Sequence, residues 1–193
     1  MALPAIILAA GTSRRLGQPK QLVLVGGETL LARTMRVVQA SGAEPVLVVL
    51  GAHRERILAE VDFAGVQVVV NTEWEQGIAS SIRAGISGLA EICPDAAATM
   101  LLVCDQPCLT AEHLRALTDG FQVAAESSIM ASEYSGITGI PAIFPPSQFA
   151  RLLALEGDVG ARFLLKRPEI PVIGVRFEGG EADVDTAEDL AKL

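Results

Sequence analysis

Short apolar runs alternate with longer stretches in which apolar residues recur every three or four positions. The first run, "PAIILAA" from Pro4 to Ala10, has the pattern of a buried strand. "TLLARTMRVVQAS", Thr29 to Ser41, has helical spacing and stops at Gly42, a residue suited to ending a helix. The alternation continues. "PVLVVLG" predicts a second strand, His53 to Val61 a charged helix, "VQVVVN" a third strand, and "IASSIRAGISGL" after Gly77 a helix. "ATMLLVCD" predicts a fourth strand, "TAEHLRALTDGFQVAA" a helix capped by Thr110, and "SSIMAS" a fifth strand.

The rhythm then changes. "YSGITGIPAIFPP" is rich in Gly and Pro and predicts a hairpin or an irregular strand pair. A helix over "SQFARLLAL" follows, then "GDVGARFLLK", then a strand "IPVIGVRF". In "DVDTAEDLAKL", Thr186 and Asp189 have capping-box spacing, which predicts a last short helix. No repeat, low-complexity segment or linker interrupts the order. The expected architecture is α/β: a single Rossmann-like three-layer domain over residues 1–193 with a mostly parallel sheet. Ligands of such sheets bind beyond the carboxyl ends of the strands, so chemistry is expected in the loops after strands one, three and four.

Composition sharpens this picture. Half of the residues are hydrophobic and only 4% are aromatic, so the core must be mainly Val, Ile, Leu and Ala. That suits a buried parallel sheet. The net charge of −8 argues against broad nucleic-acid or anionic-membrane binding, which need a basic footprint. Cys93, Cys104 and Cys108 are odd in number and irregularly spaced, so no disulfide framework is expected and a reducing, cytoplasmic setting fits. Cys104 and Cys108 read as buried thiols. His53 and His113 fall on polar helix starts and read as solvated. The apolar "MALPAIILAA" is short and lacks a basic flank, so it reads as a strand and not a signal peptide. No stretch is long and apolar enough to span a membrane.

Against the acidic background, "LAAGTSRRLGQPK", Leu8 to Lys20, gathers Arg14, Arg15 and Lys20 around Gly11 and Gly17. Glycines let backbone N–H groups approach an anion closely, and the cations match a phosphate chain. The loop is neither a Walker A motif nor GxGxxG. Its plainer reading is a polar loop with exposed cations. Asp105 closes an apolar strand and faces the expected crevice; its plainer reading is a capping aspartate before Pro107. Asp183 and Asp185 precede the predicted last helix, where acids are favoured in any case. A divalent ion would unite such groups, since Mg²⁺ uses one or two carboxylates with phosphate oxygens and water.

Leu8 to Lys20 resembles the signature loop of the GT-A-like nucleotidyltransferase superfamily, LAAGxSxRMGxxK, with Leu16 in place of the usual Met. "NTEWEQGIASSIRAGI", "LLVCDQPCLT", "GIPAIFP", "GDVGAR" and "DVDTAEDL" resemble its further segments, so the resemblance covers almost the whole chain. Within the superfamily the chain is most similar to the molybdenum cofactor cytidylyltransferases, with guanylyl-transferring enzymes as near relatives. The resemblance implies Lys20, Arg15 and Asp105 as catalytic residues. It implies a nucleotide site of Leu8, Ala9, Ala10, Gly11, Arg15, Lys20, Asn71, Gly77 and Ser81. Acceptor binding would fall to Gly139, Pro141 and Asp158, with Arg162 a further candidate. Asp105 and Asp185 would hold Mg²⁺, with Mn²⁺ as the alternative ion and Asp183 as the other candidate ligand.

The reaction so implied needs no protein nucleophile. A phosphate on the acceptor attacks the α-phosphate of a nucleoside triphosphate, and pyrophosphate leaves. Catalysis is positioning and charge neutralisation. The implied partners are CTP, molybdopterin as the phosphorylated acceptor, and a transiently bound molybdoenzyme or its chaperone. Guanylyl-transferring relatives carry LAGG at the loop and cytidylyl-transferring ones TAAG. Leu8-Ala9-Ala10-Gly11 mixes the two, with Ala10 on the cytidylyl side. Three alternatives stand beside this reading: guanylyl transfer, a sugar-phosphate-type transferase, and a noncatalytic nucleotide or molybdopterin carrier. Trp74 either packs against the loop or lines the cleft.

Overall fold

The computed structural model describes residues 2–124, 127–184 and 189. β1 (Ala5–Ala9) is buried along its whole length. Side chains alternate across a strand, so Ile7 and Ala9 join one apolar cluster while Ile6 and Leu8 join another. β4 (Val46–Leu50) and β6 (Thr99–Val103) divide in the same way. Strands buried on both faces explain the continuous apolar runs of the sequence.

Helices cover both faces. On the first lie α1 (Leu30–Ala40), through Leu31, Met35 and Val38, and α4 (Ala111–Val123), through Leu114, Leu117 and Phe121. α2 (Arg54–Glu60) adds Ile57 to that layer. The second face is covered by α3 (Ile78–Ile92), α5 (Phe149–Leu153) and α6 (Arg162–Lys166). Thr29 caps α1 by accepting from the Ala32 N–H, and Thr110 caps α4 by accepting from the His113 N–H, both at 3.2 Å.

The seven-stranded sheet has the order β5-β4-β1-β6-β8-β7-β9, with β5 Gln67–Val70, β7 Ile129–Tyr134, β8 Ile137–Phe144 and β9 Val172–Arg176. Only β8 runs antiparallel to its neighbours. It pairs with β7 through a turn in which Ser135 and Gly136 have φ of 49° and 73°, the hand that suits a two-residue hairpin. The α/β, mostly parallel expectation therefore holds.

Some expectations change. The hairpin of β2 (Leu24–Val25) and β3 (Glu28–Thr29) was not predicted, because two-residue strands carry no periodicity. "SQFARLLAL" divides into a 3-10 turn, Pro146–Gln148, and α5. The predicted closing helix, with Asp185 and Thr186, lies outside the described residues apart from Asp189. No described helix is long and apolar enough to cross a membrane.

His113 is a correction. It sits at a helix start, yet it is buried and not solvated. Phe177 covers it with ring centroids 4.3 Å apart, and its Nε2 lies 2.7 Å from the Ser132 Oγ. Burial lowers its pKa to about 4. The folded ring thus stays neutral between about pH 6.5 and about pH 4, where the unfolded ring takes up a proton. Stability is then lost as pH falls through that window, by on the order of 3 kcal/mol. Urea unfolding followed from pH 7 to 4 should show a shallower pH dependence in His113→Gln than in the wild type. Equal slopes would show that this ring does not titrate on unfolding.

A candidate nucleotide and metal cleft

The chain runs outward from β1 through β4 to β5, then returns to place β6 on the other side of β1. That reversal opens a crevice between the loops that leave β1 and β6. It forms a cleft of about 500 Å³. Its lining includes Leu8 to Arg15, Lys20, Gln21, Trp74, Gly77, Ser81, Cys104, Asp105 and Asp158.

The first loop is held from beneath. Buried Gln21 donates through Nε2 to the carbonyls of Ala9 and Gly11, at 2.6 and 3.1 Å. It thereby fixes the chain on both sides of Ala10. Ser13 adopts a left-handed φ of 54°, which costs a non-glycine residue on the order of 1–2 kcal/mol. Its Oγ accepts from the Lys20 N–H at 2.9 Å, and its carbonyl accepts from the Leu16 N–H at 3.0 Å. These bonds fold the loop back so that Lys20 enters the cleft. A Cβ on Gly11 would meet nothing within 4 Å, so backbone faces open space there.

Lys20 and Asp105, 85 residues apart, meet at the cleft floor. The Lys20 Nζ donates to the Asp105 Oδ2 at 2.7 Å, and the two side chains are 17% and 19% exposed. The Asp105 Oδ1 is buried and has no hydrogen-bond partner among the described residues. The Val184 N–H donates to the Asp105 carbonyl at 3.0 Å, which brings the segment carrying Asp183 to the end of β6. Tyr134, at the end of β7, senses both acids. Burial raises its phenol pKa, and the charges of Asp183 and Asp105 raise it further, opposed by Arg162. Buried Gln106 donates through Nε2 to the carbonyls of Ile140 and Gly180, each at 3.2 Å, and so ties β8 and the 180 turn to β6.

The other expected site residues divide into those that line the cleft and those that support it. Leu8, Ala9, Ala10, Gly11, Arg15, Gly77, Ser81 and Asp158 line it. Asn71 does not. It is buried, its amide donates to the Ser80 and Ser81 hydroxyls at 2.8 and 3.1 Å, and its Oδ1 accepts from the Glu73 N–H. It orients Ser81 from behind. Gly77 has φ 96°, and a Cβ there would fall 2.4 Å from the Gly157 carbonyl oxygen. The Ala79 N–H donates to that same oxygen at 3.1 Å, which holds Asp158 against the start of α3. Gly139 and Pro141 are buried and do not line the cleft. A Cβ on Gly139 would lie 2.3 Å from the Tyr134 hydroxyl, and the Pro141 carbonyl accepts from Ser132 Oγ at 2.7 Å. They shape the neighbouring wall. Asp185 lies outside the described residues.

Cys93, Cys104 and Cys108 are free; Cys104 is buried as expected, whereas Cys93 and Cys108 are half-buried. Burial pushes the Cys104 thiol up to about 12, so it is no thiolate at neutral pH. Among the described residues no group of three or more His, Cys, Asp or Glu is arranged to hold a metal. Ser13, Gln21, Gln106 and Tyr134 were missed by sequence reasoning. The available signal was a polar residue beside a site residue: Gln21 follows Lys20, and Gln106 follows Asp105.

A doubly wound sheet with a glycine-framed cationic loop and an acidic strand end at its switch point is an arrangement that α/β proteins use to bind phosphate groups. The MobA-like NTP transferase domain model matches residues 5–172, and the chain belongs to that family of nucleotidyltransferases. It is 30% identical to the nicotine blue oxidoreductase of Paenarthrobacter nicotinovorans, over 97% of this chain and 94% of that protein. It is 28% identical to the purine catabolism protein PucB of Bacillus subtilis, over 97% and 93%. The crystal structure of Rv0371c from Mycobacterium tuberculosis superposes with a TM-score of 0.85 at 31% identity, covering all of this chain and 97% of that one. Its manganese complex gives 0.81 at 29% identity, covering all of this chain and 98% of that one. None of these names specifies cytidylyl transfer.

Proposed function

We propose that this protein is a Mg²⁺-dependent nucleotidyltransferase that joins CMP from CTP to the phosphate of molybdopterin and releases pyrophosphate. The observation that carries the reading is the Lys20–Asp105 pair beside a glycine-framed loop, with one carboxylate oxygen unpartnered among the described residues. Loop N–H groups, Arg15 and Lys20 would bind and neutralise the triphosphate. The orphaned Asp105 Oδ1, with Asp183 or Asp185, fits a hard cation that takes one or two carboxylates. Manganese in the Rv0371c complex supports such an ion. When bound, the metal would supply charge neutralisation at the reacting phosphates. Asp158 and Arg162 would face the acceptor, and the product would pass to a molybdoenzyme or its chaperone.

The test is a screen of the four nucleoside triphosphates with Mg²⁺ against molybdopterin and other phosphorylated acceptors, read by pyrophosphate release and mass spectrometry. A CMP–molybdopterin product is expected. A different acceptor or a GMP product would favour a relative's reaction. Nucleotide binding without pyrophosphate release from any pair would favour a noncatalytic carrier.

The nucleotide choice rests on Ala10, which is buried at the cleft wall. Its methyl group takes space that a glycine would leave for a larger base. CTP is expected to win over GTP at equal concentration, by the roughly 10–200-fold that one methyl group is worth in a pocket. Ala10→Gly should narrow that ratio. A wild type that prefers GTP would sink the assignment, and an unchanged ratio in Ala10→Gly would remove Ala10 as its cause.

A further inference from the structure

The cations fix where a triphosphate would lie, at the Lys20 and Arg15 end of the cleft. A nucleobase then needs a flat apolar surface elsewhere in it. Among the described residues Trp74 is the only aromatic residue lining the cleft, and it is the only tryptophan of the chain. It opens the 3-10 turn Trp74–Gln76 between β5 and α3 and is half-buried. Among the described residues its indole N–H has no hydrogen-bond partner.

The foot of this side chain is tightly seated. A Cβ on Gly51 would lie 2.6 Å from the Trp74 Cβ and 2.9 Å from both its Cγ and the Ala10 Cβ. Gly51 has no left-handed φ, so space and not backbone conformation demands the glycine. The Ala52 N–H donates to the Ala10 carbonyl at 3.0 Å and locks the two loops together. Beyond the seat the side chain packs against the second apolar cluster and borders two hollows, the cleft and one of about 470 Å³ lined by Gly51 to Arg56 and Thr72.

We infer that Trp74 is the stacking platform for the nucleobase, and that Gly51 and Ala10 set how far its ring reaches into the cleft. The inference rests on the nucleotide reading of this site and names a residue which that reading lacked. Every base has a π face, so stacking supplies affinity without choosing a base. Choice comes from depth. The Ala10 methyl group, which meets the same Gly51 seat as the foot of Trp74, limits that depth beside the ring.

A single tryptophan makes the test direct. CTP, GTP and inorganic tripolyphosphate, each with Mg²⁺, are titrated into the protein while fluorescence and calorimetry are read in parallel. All three should bind by calorimetry, and only the two nucleotides should quench Trp74. Trp74→Ala should weaken CTP binding by roughly 10–100-fold and leave tripolyphosphate binding unchanged, while Trp74→Phe should recover most of the loss. Gly51→Ala should push the ring inward and weaken GTP more than CTP. Nucleotide binding without quenching in the wild type would overturn the inference, and that measurement needs no variant to fold. Equal weakening of CTP and tripolyphosphate in Trp74→Ala would also overturn it. Calorimetry that detects tripolyphosphate but neither nucleotide would overturn the nucleotide reading itself, and this inference with it.

Discussion

Turnover by a folded Lys20→Ala variant is expected to fall by roughly 10²–10³, the scale of losing one preorganised electrostatic stabiliser. Two effects act together. The ammonium that would meet the triphosphate is gone, and Asp105, whose Oδ1 already has no partner among the described residues, loses the donor to its Oδ2 as well. An uncovered carboxylate then repels the phosphates. Removing one member of a fully buried pair costs about 3–5 kcal/mol of stability. Here the pair opens to the cleft, with side chains 17% and 19% exposed, so water can rehydrate Asp105 and the fold should survive. Lys20→Arg keeps the charge but spreads it over a planar fork, so an intermediate rate is expected. Pyrophosphate release and a thermal melt on each variant separate chemistry from folding. An unchanged rate in folded Lys20→Ala would remove Lys20 from the mechanism.

The parts of this molecule that were legible in the sequence are those whose cause is local. β1, β4 and β6 read cleanly because burial on both faces makes every residue apolar except Thr99 at the start of β6. The caps Thr29 and Thr110 obey local rules, each accepting from the N–H three residues on. Lys20 and Asp105 were each visible through their motifs, but not their pairing, because 85 residues separate them. His113 failed for the same reason. Polar neighbours on α4 suggest water, and the ring that covers His113 belongs to Phe177, just beyond the end of β9. The buried amides of Gln21, Asn71 and Gln106 form a third class. Each holds a loop of the site from behind, through carbonyls or hydroxyls that its own sequence neighbourhood does not reveal. For Asn71 the motif marked the segment but not the division of labour within it: Ser81 meets the cleft, and Asn71 donates to the Ser81 hydroxyl from behind.

Asp105→Asn tests the other half of the central pair, and its expected effect is larger in one respect. The substitution keeps shape and removes the charge. An amide can turn its oxygen to Lys20 and keep that hydrogen bond, but its NH₂ then occupies the position of Oδ1, where a donor repels a cation. The alternative orientation sets two donors against each other. Either way a hard-cation site loses its anionic oxygen. A metal's charge stabilisation in the transition state is worth several kcal/mol; losing about 4 kcal/mol would slow turnover roughly 10³-fold. The magnesium concentration giving half-maximal rate should also rise, which loss of Lys20 alone would not require. The competing role, a capping aspartate, makes a different prediction: a stability loss of about 1 kcal/mol with activity intact. Among the described residues no backbone N–H donates to the Asp105 side chain, so the bond a cap requires is missing. A magnesium titration of pyrophosphate release distinguishes the two. Full activity of Asp105→Asn across that titration would remove Asp105 as a metal ligand and leave its unpartnered oxygen without an explanation.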